Sequence, residues 1–252
     1  MSVGRRNAPR ATQPTTRSRE AANNRHPLPR EGGGGKAVEL SVDVVSDVVC
    51  PWCFIGKRRI EAALQGLREE RPDIVPAIRW LPYFLNPDTP EEGEPYRPFL
   101  EKKFGGPEKL AQIQAHVAEA GRSAGIEFAF DRIERRANTL RAHRLIHRAQ
   151  RQGDAGALVE RLFSGHFQRG EHIGDVDVLV RIAAECGLDE ATARAYLASD
   201  EDAGEIRAQA EKAQRMGITG VPFFIFNGRV GLGGAQPPDV LLDALRQSLD
   251  AA

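Results

Sequence analysis

The chain has 252 residues, 35 of them basic and 35 acidic, so its formal net charge is zero. That balance argues against nucleic acid or an anionic membrane as a partner, and no apolar run approaches the ~20 residues that span a bilayer. Three cysteines are too few for a disulfide framework.

Residues 1–36 are rich in Arg, Asn, Pro, Ser and Thr and close on Gly32-Gly33-Gly34-Gly35, which predicts a disordered tail. Arg5, Arg6, Arg10, Arg17 and Arg19 make it basic. It is read as an idle extension or a misplaced start rather than a polyanion-binding arm. It lacks the apolar core of about seven residues that a secretion signal needs, so a cytoplasmic location is expected.

Val38, Leu40, Val42 and Val44 alternate with Glu39, Ser41 and Asp43, which predicts a first strand over 37–48. Ile60, Ala63, Leu64 and Leu67 recur at helical spacing and predict a first helix over 51–70. Between them stands Cys50-Pro51-Trp52-Cys53. Proline suits position N1, where its missing N–H would have had no helical partner. Cys50 then falls near the N-cap, where first-turn N–H groups and the helix dipole favour a thiolate. Cys-x-x-Cys at a strand–helix junction, with no secretion signal ahead of it, reads as a redox dithiol. Cys50 is the expected exposed nucleophile, and Cys53, one turn in and more buried, the resolving thiol. Pro51 and Trp52 shape the loop and bias its potential. Asp47 is expected to accept a proton during exchange or to hydrogen-bond the helix start. The alternatives are two unrelated buried thiols and a zinc half-site, although zinc normally needs more ligands than one such motif supplies. Lys57 and Arg58 follow, either on a solvated helix face or as guides for an anionic thiol.

Ile74 to Phe84 predicts a second strand, interrupted by Pro76 and Pro82. Pro87, Pro90, Pro95 and Pro98 mark a boundary. From about 97 to 216 the pattern is almost wholly helical. Its apolar stripes are Leu110, Ile113 and Val117; then Ala142, Leu145, Ile146 and Ala149; then Leu158, Val159, Leu162 and Phe163; then Val178, Leu179 and Ile182. A short helix carrying Tyr196 and Leu197 and an Ala-rich one over 204–216 complete the block. Gly153, Gly170, Gly187 and Gly217 fall where helices should stop. His143 and His147 stand four apart, but the Glu of His-Glu-x-x-His is missing and no metal site is expected. Cys186 reads as a small apolar filler.

Strand character returns at Phe223–Phe226 and at Val230–Leu232, with Asn227-Gly228 as the hairpin turn. Pro237-Pro238 opens a last helix with Leu241, Leu242, Leu245 and Leu249 facing the core. Pro222 enters the third strand at its first residue, where no ladder donor is lost. Strand, helix, strand, helical block, hairpin, helix is the order of an α/β, thioredoxin-like fold with a large all-helical domain inserted between the second and third core strands. The expected domains are 37–86 with 217–252, thioredoxin-like, and 87–216, the inserted helical domain.

The run from Asp47 to Arg58 resembles the opening motif of the DsbA-like thioredoxin superfamily, in its FrnE-like branch. That branch is akin to 2-hydroxychromene-2-carboxylate isomerases and kappa-class glutathione transferases. Leu85-Asn86-Pro87-Asp88, Asn138-Thr139, Ala142-His143-Arg144-Leu145, Gly217 to Phe224 and Gly234-Ala235-Gln236-Pro237 match in order, over about residues 38–250. The resemblance implies a thiol–disulfide oxidoreductase with a cis Pro222 against the two cysteines. Val221 would offer its N–H and C=O to an extended substrate, with His143, Asn86 and Asn138 as cleft candidates. Phe54 stands where Tyr is usual, and the additional C-terminal cysteine pair of some members is missing. Isomerase relatives commonly place Ser at the position of Cys50, so keeping both cysteines argues for redox chemistry. No tightly bound cofactor is expected. Protein or small-molecule thiols and disulfides are the expected partners, glutathione the candidate redox partner or co-substrate, and monomer and homodimer both stand. Two alternatives remain: a glutathione-dependent isomerase or transferase acting on a small aromatic substrate, and a non-enzymatic, chaperone-like binding module.

Overall fold

Period-two alternation builds β1 (Val38–Ser46), with Leu40, Val42 and Val44 buried and Glu39 and Ser41 exposed. The computed structural model describes residues 37–250, and the tail expected over 1–36 lies outside them. β1 stops at Ser46 because the Asp47 carbonyl turns to accept the Cys50 N–H, at 2.9 Å. Helix α1 (Pro51–Glu70) follows, and β2 (Ile74–Pro82) returns parallel to β1, from Val38 opposite Ile74 to Ser46 opposite Pro82.

β5 (Phe223–Phe226) pairs antiparallel with β1, and β6 (Val230–Gly233) with β5, giving the order β2-β1-β5-β6. Here β3 (Glu94–Pro95) and β4 (Arg135–Arg136) form a separate two-stranded ladder. Asn227 and Gly228 take φ of 52° and 64° in the three-residue link from β5 to β6, where the Arg229 N–H donates to the Phe226 carbonyl at 3.0 Å. Helix α9 (Pro238–Asp250) lies beside α1 and buries Leu241, Ala244 and Leu245. As the outermost strand, β2 tolerates Pro76. The Gln150 side chain satisfies part of that open edge, accepting the Trp80 N–H at 2.6 Å and donating to the Trp80 carbonyl at 3.1 Å.

Between β2 and β5 run α2 (Tyr96–Phe104), α3 (Pro107–Arg122), α4 (Leu140–Gln150), α5 (Gly156–Arg169), α6 (Val176–Glu185), α7 (Glu190–Ala198) and α8 (Ala203–Arg215). The second strand ends short of the expected Phe84. Gly105 takes φ 87° and ends α2 ahead of the helix that carries Leu110, Ile113 and Val117. Ile113, expected in an apolar stripe, is 39% exposed. The insert also carries the β3–β4 ladder and a 3₁₀ turn at Phe130–Arg132. One apolar core continues from α1 and the sheet into α4, α5 and α6. Among the described residues no helix is long and apolar enough to cross a membrane.

Candidate active site

Cys50 is the N-cap of α1, with extended φ −95° and ψ 113°, and Pro51 opens the helix. The Cys53 and Phe54 N–H groups donate to the Cys50 carbonyl at 3.0 and 3.3 Å, closing the first turn. The Cys50 side chain makes no cap hydrogen bond to that turn. Its thiol instead donates to the Val221 carbonyl at 3.6 Å. The Val221–Pro222 bond is cis. Cys50 is only 4% exposed, so the expectation of an exposed nucleophile is corrected: the loop holding Val221 lies against the sulfur. Access requires a partner to replace the Val221 contact.

Both thiols are free and lie side by side. Cys53 is 1% exposed. Burial, and then the neighbouring Cys50 thiol, push its pKa well above the ordinary thiol value; the Ser46 hydroxyl and the Asp47 main chain pull the other way and lose. Trp52 is half-buried, its ring 5.6 Å from that of His116 on α3.

Asp47 is 1% exposed. One carboxylate oxygen accepts the Leu85 N–H at 2.9 Å, and the other lies 3.3 Å from His143 Nε2. His143 therefore faces Asp47 rather than an open cleft, with the Phe84 ring edge-on to it at 5.4 Å. Asn86 behaves differently: it lines a cavity of about 300 Å³ with Phe84, Thr139 and Arg207, and its side-chain oxygen accepts from Lys103 Nζ at 2.9 Å. Asn138 lines the same cavity but is tied down, donating to the Thr89 carbonyl at 2.7 Å and accepting the Leu140 N–H at 3.0 Å. His147 lies apart, on a groove of about 800 Å³ over the other face of the sheet that holds none of the predicted site residues.

Lys57 is corrected. It is 3% exposed and ion-paired to Glu61 at 2.5 Å and to Glu160 at 2.9 Å, neither solvated nor aimed at a substrate. Arg58 joins it on Glu160 at 2.5 Å. Phe54 is fully buried, stacked on Phe163 with centroids 5.1 Å apart and edge-on to Phe128 at 6.2 Å. A tyrosine hydroxyl there would enter an aromatic cluster.

Two residues of the site escaped sequence reasoning. A Cβ on Gly56 would stand 2.8 Å from Pro222 Cγ, so only glycine lets the Pro222 loop sit on α1. Ser46 is buried beside Cys53, and its hydroxyl makes no hydrogen bond of ordinary distance and angle. Its parity with Val42 and Val44 was the available signal, since it puts the side chain on the face that packs against α1.

The model of the DsbA-like thioredoxin domain matches residues 41–246, from β1 through the insert to α9. The chain belongs to the DsbA-like thioredoxin domain family. A probable DsbA oxidoreductase from Streptomyces coelicolor is 30% identical, superposes with a TM-score of 0.76, and is covered over 91% of its length by 84% of this chain. The uncharacterized protein YwbO of Bacillus subtilis is 29% identical over 208 residues, 82% of this chain and 96% of YwbO. The cytosolic disulfide reductase DsbM of Pseudomonas aeruginosa, solved with GSH, is 21% identical with a TM-score of 0.60 over 83% of this chain and 99% of its own. Within this DsbA-like domain, the dithiol lies at the start of α1 and the cis-proline loop at the start of β5, so the two halves of the site come from either side of the insert.

Proposed function

We propose that this protein is a thiol–disulfide oxidoreductase that works through the Cys50–Cys53 dithiol. One observation carries the reading: Cys50, the N-cap residue of α1, sets its sulfur against the Val221 carbonyl, with Cys53 buried beside it. The Cys50 thiolate attacks one sulfur of a client disulfide, forming the mixed disulfide and releasing the first client thiolate. Cys53 then attacks the Cys50 sulfur. The Cys50–Cys53 disulfide forms, the Cys50–client bond breaks, and its electron pair leaves on the second client sulfur. The client gains two electrons and two protons, and the protein dithiol loses them. An extended client replaces the thiol on the Val221 carbonyl and gains a main-chain partner.

Glutathione is the proposed donor that restores the dithiol, without tight binding, and the cytoplasm the proposed compartment. The DsbM structure with GSH supports the donor only by analogy of fold. Val221, Pro222 and Asn86 are the proposed substrate contacts, with Asp47, Pro51 and Trp52 tuning the dithiol.

The test is insulin-disulfide reduction by the wild type and by Cys50→Ala, with glutathione as reductant. Wild-type turnover that falls at least about 100-fold in Cys50→Ala is expected. Unchanged turnover removes the dithiol from the mechanism and leaves a binding module. A second reading, glutathione-dependent isomerisation or transfer on a small aromatic substrate, draws on the cavity beside Phe84 and Asn86. It gains if Cys50→Ser loses disulfide exchange and keeps such an activity.

A further inference from the structure

Ser46 is the last residue of β1 and is 4% exposed. A buried hydroxyl almost always finds a hydrogen-bond partner, because leaving one unmade is costly. This one makes no hydrogen bond of ordinary distance and angle. Side-chain parity along β1 turns Ser46 to the α1 face with Val42 and Val44, and there its hydroxyl lies close enough to the Cys53 thiol to hold that thiol's pKa down. The Cys53 sulfur is enclosed, at 1% exposure. In the resting dithiol it is a neutral thiol and a weak acceptor. During resolution it becomes an anion with no water to solvate it. A donor aligned on an atom that gains charge only at that moment stabilises the transition state more than the ground state.

We propose that Ser46 is a catalytic residue of the resolving step, its hydroxyl donating to the Cys53 sulfur as that sulfur becomes nucleophilic. The inference rests on the dithiol reading above. The Asp47 main-chain N–H is the second donor, held in place because the Asp47 carboxylate is fixed by Leu85 and His143. In the step itself, Cys53 attacks the Cys50 sulfur of the mixed disulfide. The Cys50–client bond breaks, and the Cys53 proton ends on the departing client thiol. No outside oxidant is needed.

The experiment uses the full chain carrying Cys186→Ala, so that only the dithiol reports. The reduced protein is mixed with a symmetric aromatic disulfide whose released thiolate is coloured. The first coloured equivalent marks attack by Cys50, and the second marks resolution by Cys53. Ser46→Ala should leave the first phase unchanged and slow the second about tenfold, the size of a hydrogen bond to a charged group. The equilibrium constant of the dithiol with glutathione should stay within about twofold, because resting Cys53 is a thiol in either protein.

A second phase as fast as in the parent overturns the role of Ser46 and leaves the dithiol mechanism standing. Equal slowing of both phases, or a shifted equilibrium constant, also overturns it, since Ser46 would then only shape the motif. Release of a single equivalent by the parent itself means that Cys53 does not resolve. That result removes both the inference and the reading beneath it.

Discussion

At the scale of the single residue, Gly56 shows how backbone space lets the Pro222 loop lie on α1. Glycine inside a helix is ordinarily a weakness, and exchange for alanine stabilises by about 1 kcal/mol. Here the added Cβ would meet Pro222 Cγ at 2.8 Å and the Phe224 ring at 3.3 Å. Neither neighbour is a free side-chain tip: one is a ring in the loop and the other a fully buried strand residue. Gly56→Ala should therefore lose about 1–3 kcal/mol instead of gaining, and should lower kcat/KM for disulfide exchange by displacing Val221 from Cys50. Urea unfolding read alongside insulin reduction checks both halves. A stabilised and fully active variant would show that the loop moves freely over α1. The chemical residues of the site were legible because their types carry the message: two thiols, the proline at N1 and the proline entering β5. Gly56 and Ser46 were not, because a glycine's role is set by what approaches it and a serine's by what its hydroxyl fails to meet. The direction of Cys50 was not legible either. The sequence places it at the cap, but only the fold brings Val221, 171 positions later, to its sulfur.

At the scale of elements, the contact between α1 and α5 joins the dithiol helix to the insert. Glu160 on α5 accepts from both Lys57 and Arg58, and Phe54 stacks on Phe163 one turn away. Glu160→Gln should leave Lys57 buried with Glu61 as its remaining carboxylate partner, and should destabilise by about 1–3 kcal/mol. The denaturant midpoint should fall while the glutathione equilibrium of the dithiol holds, because neither cation touches a cysteine. An unchanged midpoint would mean that the clamp adds nothing to packing. Strong periodicity made β1, α1, the hairpin and α9 readable within a residue or two. The β3–β4 ladder was invisible because it pairs Glu94 with Arg136 and Pro95 with Arg135, two short polar segments with no alternation to mark them. Ile113 misled for the opposite reason: its spacing is right for a stripe, but among the described residues it stays 39% exposed.

At the scale of the whole molecule, acid stability turns on a histidine outside the dithiol. His166 on α5 is fully buried, its ring 4.7 Å from that of Phe167 and 6.2 Å from that of Tyr96. Neither ring nitrogen has a hydrogen-bond partner. Burial pushes its pKa down to about 4, against an ordinary 6.5. The sign follows from proton binding. Between about 6.5 and about 4 the unfolded chain takes a proton that the folded chain refuses, so stability falls as pH drops through that window and rises as pH increases. By pH 5 the loss should reach about 2 kcal/mol. Glu171, held below the ordinary carboxylate range by Arg161, contributes in the same direction but at lower pH, since its stabilisation is lost only as the carboxylate takes its proton. His166→Phe keeps an aromatic ring against Phe167 and removes the titration. Urea unfolding at pH 7 and pH 5 should then show a clearly smaller drop for His166→Phe than for the wild type, whatever their stabilities at pH 7. Equal drops would assign the acid sensitivity to other groups, of which half-buried His172, also held low by burial, is the next to test.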